Sequence, residues 1–434
     1  MWLAYTNLLA QNMNLSHFIA QRIAFSEKSS FSRIIVRIAI FTVALSMTVM
    51  ILASAMIGGF KREISFRMFN FWGHMHVTDI GAQRFLDEVP MKVTDSLKQV
   101  ILGMRDIVVE DVEGVEHQTK GGVAGVFGTI YKPGIIRTKK AIEGIVLKGV
   151  GADYDWEYMA PYLKAGRLPA IQDSVSEDIL ISVQTSNRMQ LKVGDKMIIY
   201  FVKAGKQMRK RFQVCGLYKT GLEEFDKKVA IVDLRRLQQL LHWQSNEVST
   251  LEIYVDDLDD LDLMQEFLYY EVLPNNLYAQ TIEHKFSAIF EWLKLQNVNE
   301  RVIMLLMLVV SIVNMITSLL ILILERTNMI GVLSALGGSR WTLRKIFIYQ
   351  AAYIIGYGLL IGNTLGFGLA YLQKYSHLIK LDEEHYYLSY APIDLNYPYI
   401  LMLNLIVVVV ILISLVLPSY LVNKISPIKA IRFR

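Results

Sequence analysis

Histidine and aspartate are the residue types in this chain whose spacing could bind a metal ion. His74 and His76 alternate on a predicted strand, but no cysteine or further histidine nearby completes a ligand set. Aspartates crowd the segment 256–262, which lacks the glycine and the terminal glutamate of a calcium-binding loop. We therefore expect no metal at the histidines and a solvated connection at the aspartates.

Signals for nucleotide binding and nucleophilic catalysis are also weak. A phosphate-binding loop needs Gly-x-x-x-x-Gly-Lys-Ser/Thr, but Gly205-Lys206 has Tyr200 at the first glycine position and Gln207 at the hydroxyl position. No nucleophile–base pair stands out, so we expect no enzymatic activity in this chain. Any ATP and Mg²⁺ would be bound by a separate subunit. The single cysteine, Cys215, excludes an internal disulfide.

The elements that would position any site are dominated by four apolar segments that contain no Asp, Glu, Lys or Arg. These segments are Ile38–Gly59, Val302–Leu324, Ile346–Gln373 and Tyr397–Asn423. About 20 helical residues cross a hydrocarbon core of about 30 Å, and a chain in lipid must be helical to pair its backbone groups. We predict an α-helical integral membrane protein with four transmembrane helices and a large α+β periplasmic domain between helices 1 and 2.

The distribution of Lys and Arg predicts the orientation of these helices. Basic residues cluster at three places: Arg22, Lys28, Arg33 and Arg37; Arg326, Arg340, Arg344 and Lys345; and Lys424, Lys429, Arg432 and Arg434. Lys61, Arg62 and Arg67 follow the first span and oppose this assignment, but the three other groups outnumber them. Both termini are therefore predicted to be cytoplasmic. The membrane flanks explain the positive net charge, and nucleic-acid binding is not needed.

The predicted layout follows from these spans. It comprises a cytoplasmic N-terminus with an interfacial amphipathic helix (1–37), helix 1 (38–59), the periplasmic domain (60–301), helix 2 (302–324), a cytoplasmic coupling loop (325–345), helix 3 (346–373), a periplasmic loop (374–396), helix 4 (397–423) and a cytoplasmic tail (424–434). Alternating apolar residues predict strands at His74–Ile80, Ile179–Val183, Lys196–Val202, Val229–Val232 and Thr250–Val255. Helical spacing over Thr281–Glu300 predicts a continuous helix that leads into the second span.

Small and polar residues within the spans indicate how the helices pack. Gly358, Gly362 and Gly366 repeat every four residues and predict a flat ridge on which another helix packs closely, in this chain or another. Asn314 on helix 2 is predicted to hydrogen-bond between helices. On helix 1, residues at helical spacing are candidates for a lipid- or cargo-facing wall, since methionine adapts to irregular apolar shapes. They are Met47, Met50, Ile51, Ser54 and Ile57.

Three motifs give the chain a recognisable family resemblance. Asn314–Thr327 runs from the second span into the loop, Ile330–Arg340 reads Ile-Gly-Val-Leu-Ser-Ala-Leu-Gly-Gly-Ser-Arg, and Pro418–Arg432 holds two prolines nine residues apart. Together they resemble the FtsX-like/MacB-type ABC transporter permeases, above all the lipoprotein-releasing subunits of the LolC/LolE type. The resemblance implies a MacB-like periplasmic core domain at 60–301 and an FtsX-like permease domain at 302–434. Met329 and Ser334 depart from the family pattern.

The resemblance implies that a short helix in the loop docks into a separate ATPase. Leu333 and Leu336 are expected to form its apolar side, and Gly337-Gly338 to end it. The predicted ATPase-coupling residues are Glu325, Arg326, Ile330, Leu333, Leu336, Gly337, Gly338 and Arg340.

The implied partners are an ABC ATPase (LolD-like) that binds ATP and Mg²⁺, a second permease copy or paralogue, lipoprotein cargo and a periplasmic carrier. The implied location is the bacterial inner membrane. Two alternatives stay open: a MacB-like mechanotransmitting permease for drug or peptide export, and an FtsX-type regulator of cell-wall hydrolases. The outer domain of such a regulator is normally much shorter.

Overall fold

The computed structural model describes residues 30–82, 88–110, 115–138, 141–172, 174–203, 206–382, 386 and 388–420. The predicted amphipathic helix, Gly205 and the tail after residue 420 lie outside these residues. The chain divides into two compact units. The first, the helical unit, comprises Met1–Lys61, Lys294–Ile379 and Ala391–Arg434. The second, the sheet domain, comprises Arg62–Leu293 and Lys380–Tyr390.

The α-helices among the described residues run in chain order as follows. They are α1 Ser30–Trp72, α2 Asp95–Leu102, α3 Val183–Met189, α4 Glu223–Asp226, α5 Leu234–Leu241, α6 Leu261–Phe267, α7 Ile282–Lys285, α8 Ser287–Glu325, α9 Thr327–Ala335, α10 Arg340–Ser376, α11 Tyr397–Ser414 and α12 Val416–Ser419. Within the described part of the chain, α1, α8, α10 and α11 are the four long and apolar enough to cross a membrane. The four predicted apolar spans therefore lie on four helices.

Three of these helices extend beyond the predicted spans. Helix α1 continues past Gly59 to Trp72, and α8 begins at Ser287, because the polar residues that border each span still have helical backbone conformations. Helix α10 starts at Arg340, so Arg340 and Arg344, which lie in the predicted coupling loop (325–345), belong to its first turns.

The fourth span, predicted to run to Asn423, is described as far as residue 420 and is not one uninterrupted helix over that part. Helix α11 ends at Ser414, and α12 follows after Leu415. Pro418 explains the break, because it has no N–H to bond the Ser414 carbonyl and its ring crowds that carbonyl. The Ser414 hydroxyl also lies within hydrogen-bond distance of the Val410 and Ile411 carbonyls, at 2.9 and 2.8 Å, and its single proton is available to either.

The core of the helical unit is apolar side chains contributed by its long helices. Met47 and Ile51 of α1, Phe347 and Ile354 of α10, and Ile411 of α11 are all buried in one cluster. Their spacing on each helix places one face toward the neighbours and leaves the opposite face exposed. The exposed faces are apolar as well, which suits helices surrounded by lipid.

Strands of the described chain form the centre of the sheet domain. They are β1 Met75–Asp79, β2 Met91–Lys92, β3 Val108–Glu110, β4 Glu116–Gln118, β5 Val123–Arg137, β6 Ile142–Val150, β7 Leu163–Gly166, β8 Asp178–Ser182, β9 Lys196–Lys203, β10 Lys206–Tyr218, β11 Val229–Asp233, β12 Glu247–Val248, β13 Thr250–Val255 and β14 Leu277–Thr281. The largest sheet has the order β14-β1-β13-β5-β6-β11-β8-β10-β7, with β9 beside β10 and β5.

This sheet is mixed, since β6–β11 and β8–β10 pair in parallel and the other neighbours are antiparallel. The five predicted strands appear as β1, β8, β9, β11 and β13. The helix predicted over Thr281–Glu300 is interrupted. Thr281 ends β14 and caps α7, and Phe286 leaves the helical conformation before α8 begins. The α+β class agrees with the prediction.

Candidate coupling site

Helix α9 and the turn after it form the candidate coupling site. The α8 backbone breaks at Arg326 (φ −96°, ψ 19°), and α9 starts at Thr327. Arg326 is half-buried and Glu325 is exposed. The loop between the second and third long helices is therefore filled by one short helix, which is what the sequence predicts for a coupling segment.

The turn after α9 is closed by the hydrogen bonds that typically end a helix at glycine. Gly337 adopts a left-handed conformation (φ +89°), its N–H bonds Ser334 O at 3.1 Å, and Gly338 N–H bonds Leu333 O at 2.9 Å. A Cβ at Gly338 would lie 2.8 Å from Leu333 O. Ser339 then caps α10 by accepting from Thr342 N–H at 3.2 Å. The two glycines thus lie in a connection of four residues, 336–339, between α9 and α10.

The two leucines expected on one apolar side of α9 have different environments. Leu333 packs against the helical core, beside fully buried Ile330. Leu336 is 79% exposed, and Val332 is 51% exposed. Leu333 and Leu336, expected on one apolar side of α9, therefore differ in exposure: Leu333 packs on the helical core, and Leu336, the residue after α9, does not. The surface open to a partner is Val332 and Leu336.

Basic and aromatic side chains lie on the first turns of α10. The Arg344 guanidinium stacks on the Tyr420 ring at 3.8 Å, and the Lys345 ammonium lies 5.6 Å from the Trp341 ring. Trp341 is itself exposed. Arg340 is exposed at the start of the helix. These residues place positive charge next to the exposed end of α9.

The glycine ridge of α10 packs against α1 of the same chain. A Cβ at Gly358 would meet Val43 at 2.7 Å, one at Gly362 would meet the Ala44 carbonyl at 2.7 Å, and one at Gly366 would meet Ile51 at 2.8 Å. The Thr48 hydroxyl lies 3.1 Å from Gly362 O, which adds a polar contact between the helices. Such spacings require glycine, because any side chain would separate the two backbones.

The α1 residues that were predicted to face lipid or cargo point instead toward the core of the helical unit. Met47, Met50 and Ile51 are buried in the helical core, Ser54 is also buried, and Ile57 is half-buried. Burial corrects the assignment for Met47, Met50, Ile51 and Ser54, and of these Met47 and Ile51 lie at the α10 ridge. Helical spacing on an all-apolar helix indicates a face but not whether that face meets protein or lipid.

Hydrogen bonding between the helices uses a different asparagine from the one predicted. The Asn314 amide bonds to Val310 O of its own helix, at 3.0 Å. Asn363 of α10 and Asn404 of α11 instead bond each other reciprocally, at 2.7 and 3.1 Å. Sequence reasoning missed this pair, although two asparagines in uncharged spans are a usable signal.

The histidines and aspartates of the sheet domain have structural partners. His74 Nδ1 accepts from Val255 N–H at 2.8 Å, and His76 Nε2 lies 2.6 Å from Trp72 O. Across the described residues, no group of three or more His, Cys, Asp or Glu side chains could hold a metal ion. Asp260 is buried and accepts from Lys120 and Gly121 N–H at 2.6 and 2.8 Å. The aspartate segment is therefore not simply a solvated connection.

Two family models match the chain and together cover most of it. The model of the MacB-like periplasmic core domain matches residues 38–267. The model of the FtsX-like permease C-terminal region matches residues 301–427, which include α9 and its glycine turn.

Relatives match over nearly the whole chain. A lipoprotein-releasing system transmembrane protein LolC of Xylella fastidiosa is 23% identical over 98% of this chain and 99% of the relative. LolC of Neisseria meningitidis is 21% identical over 94% and 96%. The lipoprotein-releasing system transmembrane protein LolE of Haemophilus influenzae is 21% identical over 96% and 98%.

Proposed function

Because the chain belongs to the FtsX-like ABC permease family and carries a MacB-like periplasmic core domain, we propose that it releases lipoproteins from the bacterial inner membrane. It is the transmembrane subunit of an ABC complex and passes its cargo to a periplasmic carrier. The observation that carries this proposal is the end-to-end match to LolC and LolE proteins, which spans both the helical unit and the sheet domain.

A separate ATPase supplies the energy in this proposal. The partner binds ATP and Mg²⁺, and its surface receives the exposed end of α9 at Val332 and Leu336. Exposed leucine next to arginine and lysine on α10 suits an apolar groove with an acidic rim. Closure of the ATPase then moves α9, and the short glycine turn passes that movement to α10.

The orientation follows from the charges. Arg326, Arg340, Arg344 and Lys345 lie on the α9 side of the membrane helices, so α9 and both termini face the cytoplasm. The sheet domain then lies in the periplasm, where a carrier would collect the cargo.

A second copy or a paralogue completes the permease, and α8 offers the surface on which lipid-linked cargo would lie. Val302, Leu305, Val309 and Val313 are exposed at helical spacing on α8. This stripe takes the role first assigned to the buried methionines of α1. Acyl chains would contact it as they leave the bilayer.

Depletion of the protein followed by membrane fractionation tests the proposal. We expect outer-membrane lipoproteins to accumulate in the inner membrane, and re-expression of the chain to restore their sorting. Normal lipoprotein sorting together with altered drug or peptide export would contradict the proposal. That outcome would favour a MacB-like export permease, the alternative that the match of the sheet domain supports.

A further inference from the structure

The end of α1 is held by buried side chains of the sheet domain. The last four carbonyls of an α-helix have no partner within the helix. Gly73, in a left-handed conformation (φ +79°), bonds Phe69 O through its N–H at 2.8 Å. The other three carbonyls each lie at a polar side-chain atom: Tyr254 Oη at Asn70 O (3.4 Å), Lys148 Nζ at Phe71 O (2.6 Å) and His76 Nε2 at Trp72 O (2.6 Å). These donors come from β13, β6 and β1.

Lys148 belongs to a charged cluster without solvent contact. Its ammonium lies 2.9 Å from Glu252, and both side chains are 0% exposed. The Tyr131 hydroxyl donates to the other Glu252 oxygen. The rings of Phe71, Trp72 and Tyr154 surround the ammonium at 5.4, 5.8 and 5.5 Å. A cation near a helix C-terminus also interacts favourably with the helix dipole.

A second link joins the same helix end to the segment that precedes α8. Since Trp72 O can only accept, His76 Nε2 donates to it, and the unprotonated His76 Nδ1 is an acceptor. Lys285 Nζ, on α7, lies 2.8 Å from that Nδ1. One residue later, the Phe286 ring lies 5.2 Å from the Trp72 ring. We call Tyr131, Lys148, Glu252, His76 and Lys285 the helix-end cluster.

We infer that the helix-end cluster is a positioning device that fixes the end of α1 to the start of α8. When the two helices move, they then move the sheet domain together. This inference rests on the proposed function, because it assumes that an ATPase moves the helices. Both α1 and α8 run without interruption from the helical unit into residues of the sheet domain. Two of the chain segments that connect the units therefore lead to the same buried polar contacts.

A contribution to folding stability alone does not explain why the helix-end cluster contains a buried ion pair. Taking two charges out of water is costly, and a buried ion pair replaced by apolar side chains of similar size often leaves a protein as stable or more stable. An apolar replacement of the whole cluster centre can therefore separate folding from positioning. The required variant is Lys148→Met with Glu252→Leu and Tyr131→Phe, which removes the ion pair together with the hydroxyl that bonds it and takes the Lys148 donor away from Phe71 O.

The test compares the intact complex, copurified with its ATPase and placed in nanodiscs, before and after ATP addition. Hydrogen exchange of peptides from β1, β13 and β14 reports whether the sheet domain responds. We expect the triple variant to hydrolyse ATP at a rate close to wild type while the ATP-dependent change in exchange falls by roughly 5–150-fold, the range of a typical coupling between sites. A matched control removes an exposed pair of the same length, Lys98–Asp153 at 2.9 Å, by Lys98→Met and Asp153→Leu.

A second pair of variants covers the case in which the triple variant does not fold. Lys285→Gln keeps a donor for His76 and should retain the ATP response, whereas Lys285→Met should lose it. A folded triple variant, or Lys285→Met, with a full ATP response would overturn the inference. If wild type lacks the response, ATP-driven coupling itself fails. If wild type responds but releases no lipoprotein, only the assigned cargo is wrong and the helix-end cluster stands.

Discussion

At the scale of single residues, Leu336 is the side chain that we propose to contact the ATPase. It is 79% exposed at the end of α9, directly before a turn held by two glycines. Exposing a leucine at the end of a rigid turn gives this chain no stability of its own. A groove on another protein that covered it would gain the burial energy.

We predict that Leu336→Glu prevents association with the ATPase and leaves the fold intact. A charge at this position meets water in the free protein, so the free energy of unfolding should change by less than about 0.5 kcal/mol. In the complex the same charge would be desolvated. Copurification of the ATPase with tagged variants measures the effect.

Leu258→Glu is the matched control for this substitution, because Leu258 is an exposed leucine of the sheet domain. It should copurify with the ATPase as wild type does. Equal recovery of the ATPase with Leu336→Glu would remove α9 as the docking element.

At the scale of elements, the contact between α1 and α10 depends on glycine and the contact between α10 and α11 on asparagine. Gly358, Gly362 and Gly366 bring two backbones into contact, whereas Asn363 and Asn404 join two helices by paired amides. In lipid, packing and hydrogen bonds replace the hydrophobic effect between helices. Each contact can be tested separately.

Gly362→Val should destabilise the protein. Its Cβ would lie 2.7 Å from the Ala44 carbonyl and 2.9 Å from Met47 Cβ, so α1 and α10 would have to separate. Overpacking of this kind costs about 1–3 kcal/mol. Thermal unfolding in detergent should show a lower midpoint.

Gly368→Ala provides the comparison on the same helix, since nothing lies within 4 Å of the Cβ that it adds. It should leave the midpoint unchanged or raise it, because alanine is the better helix former. Equal melting temperatures of Gly362→Val and Gly368→Ala would contradict a role of the glycine ridge in helix packing.

Asn363 and Asn404 should be energetically coupled. A double-mutant cycle with Asn363→Leu and Asn404→Leu is expected to give a coupling of roughly 0.6–2 kcal/mol, because either single change leaves one amide without its partner in an apolar setting. Denaturant unfolding in detergent measures the four states. Asn314→Leu, whose amide bonds only its own helix among the described contacts, should show no coupling to Asn404. Additive effects at 363 and 404 would contradict the reciprocal bond.

At the scale of the whole molecule, two histidines of the sheet domain, half-buried His74 and buried His76, make its stability depend on pH. Burial lowers the pKa of His74 from 6.5 to about 4. Burial, and then the positive charge of Lys285, hold the pKa of His76 well below its usual value. Both rings accept a hydrogen bond at Nδ1, which requires the neutral form.

Acid should therefore destabilise the sheet domain. The unfolded chain binds a proton at His74 below pH 6.5 and the folded chain only near pH 4, so stability falls as the pH drops through that window. The loss from His74 alone is about 3 kcal/mol at its full extent. Denaturant unfolding of the full chain in detergent, followed from pH 7 to 4, measures the slope.

His74→Asn keeps an acceptor near the position of Nδ1 and does not titrate, so its stability should fall less steeply with acid. His117→Asn changes an exposed histidine and should leave the wild-type slope. An unchanged slope in His74→Asn would show that His74 is not responsible.

The membrane helices and five strands could be read from the sequence because their signals are local. A long uncharged apolar run must be a helix in lipid, and alternating residues mark a strand with one buried face. The glycine turn after α9 was readable for the same reason, since Gly337 and Gly338 act through their own backbone. Membership of the permease family was also readable, from motifs that lie around this turn.

Only the tertiary structure decided which face meets which neighbour. Met47 and Ile51 look like lipid-facing residues until α10 packs on them, and Lys148 looks like a surface lysine of a strand until the end of α1 covers it. Burial, pairing and hydrogen bonding between distant segments depend on how the segments pack. That packing is the sum of many weak contacts, and no single stretch of sequence contains it.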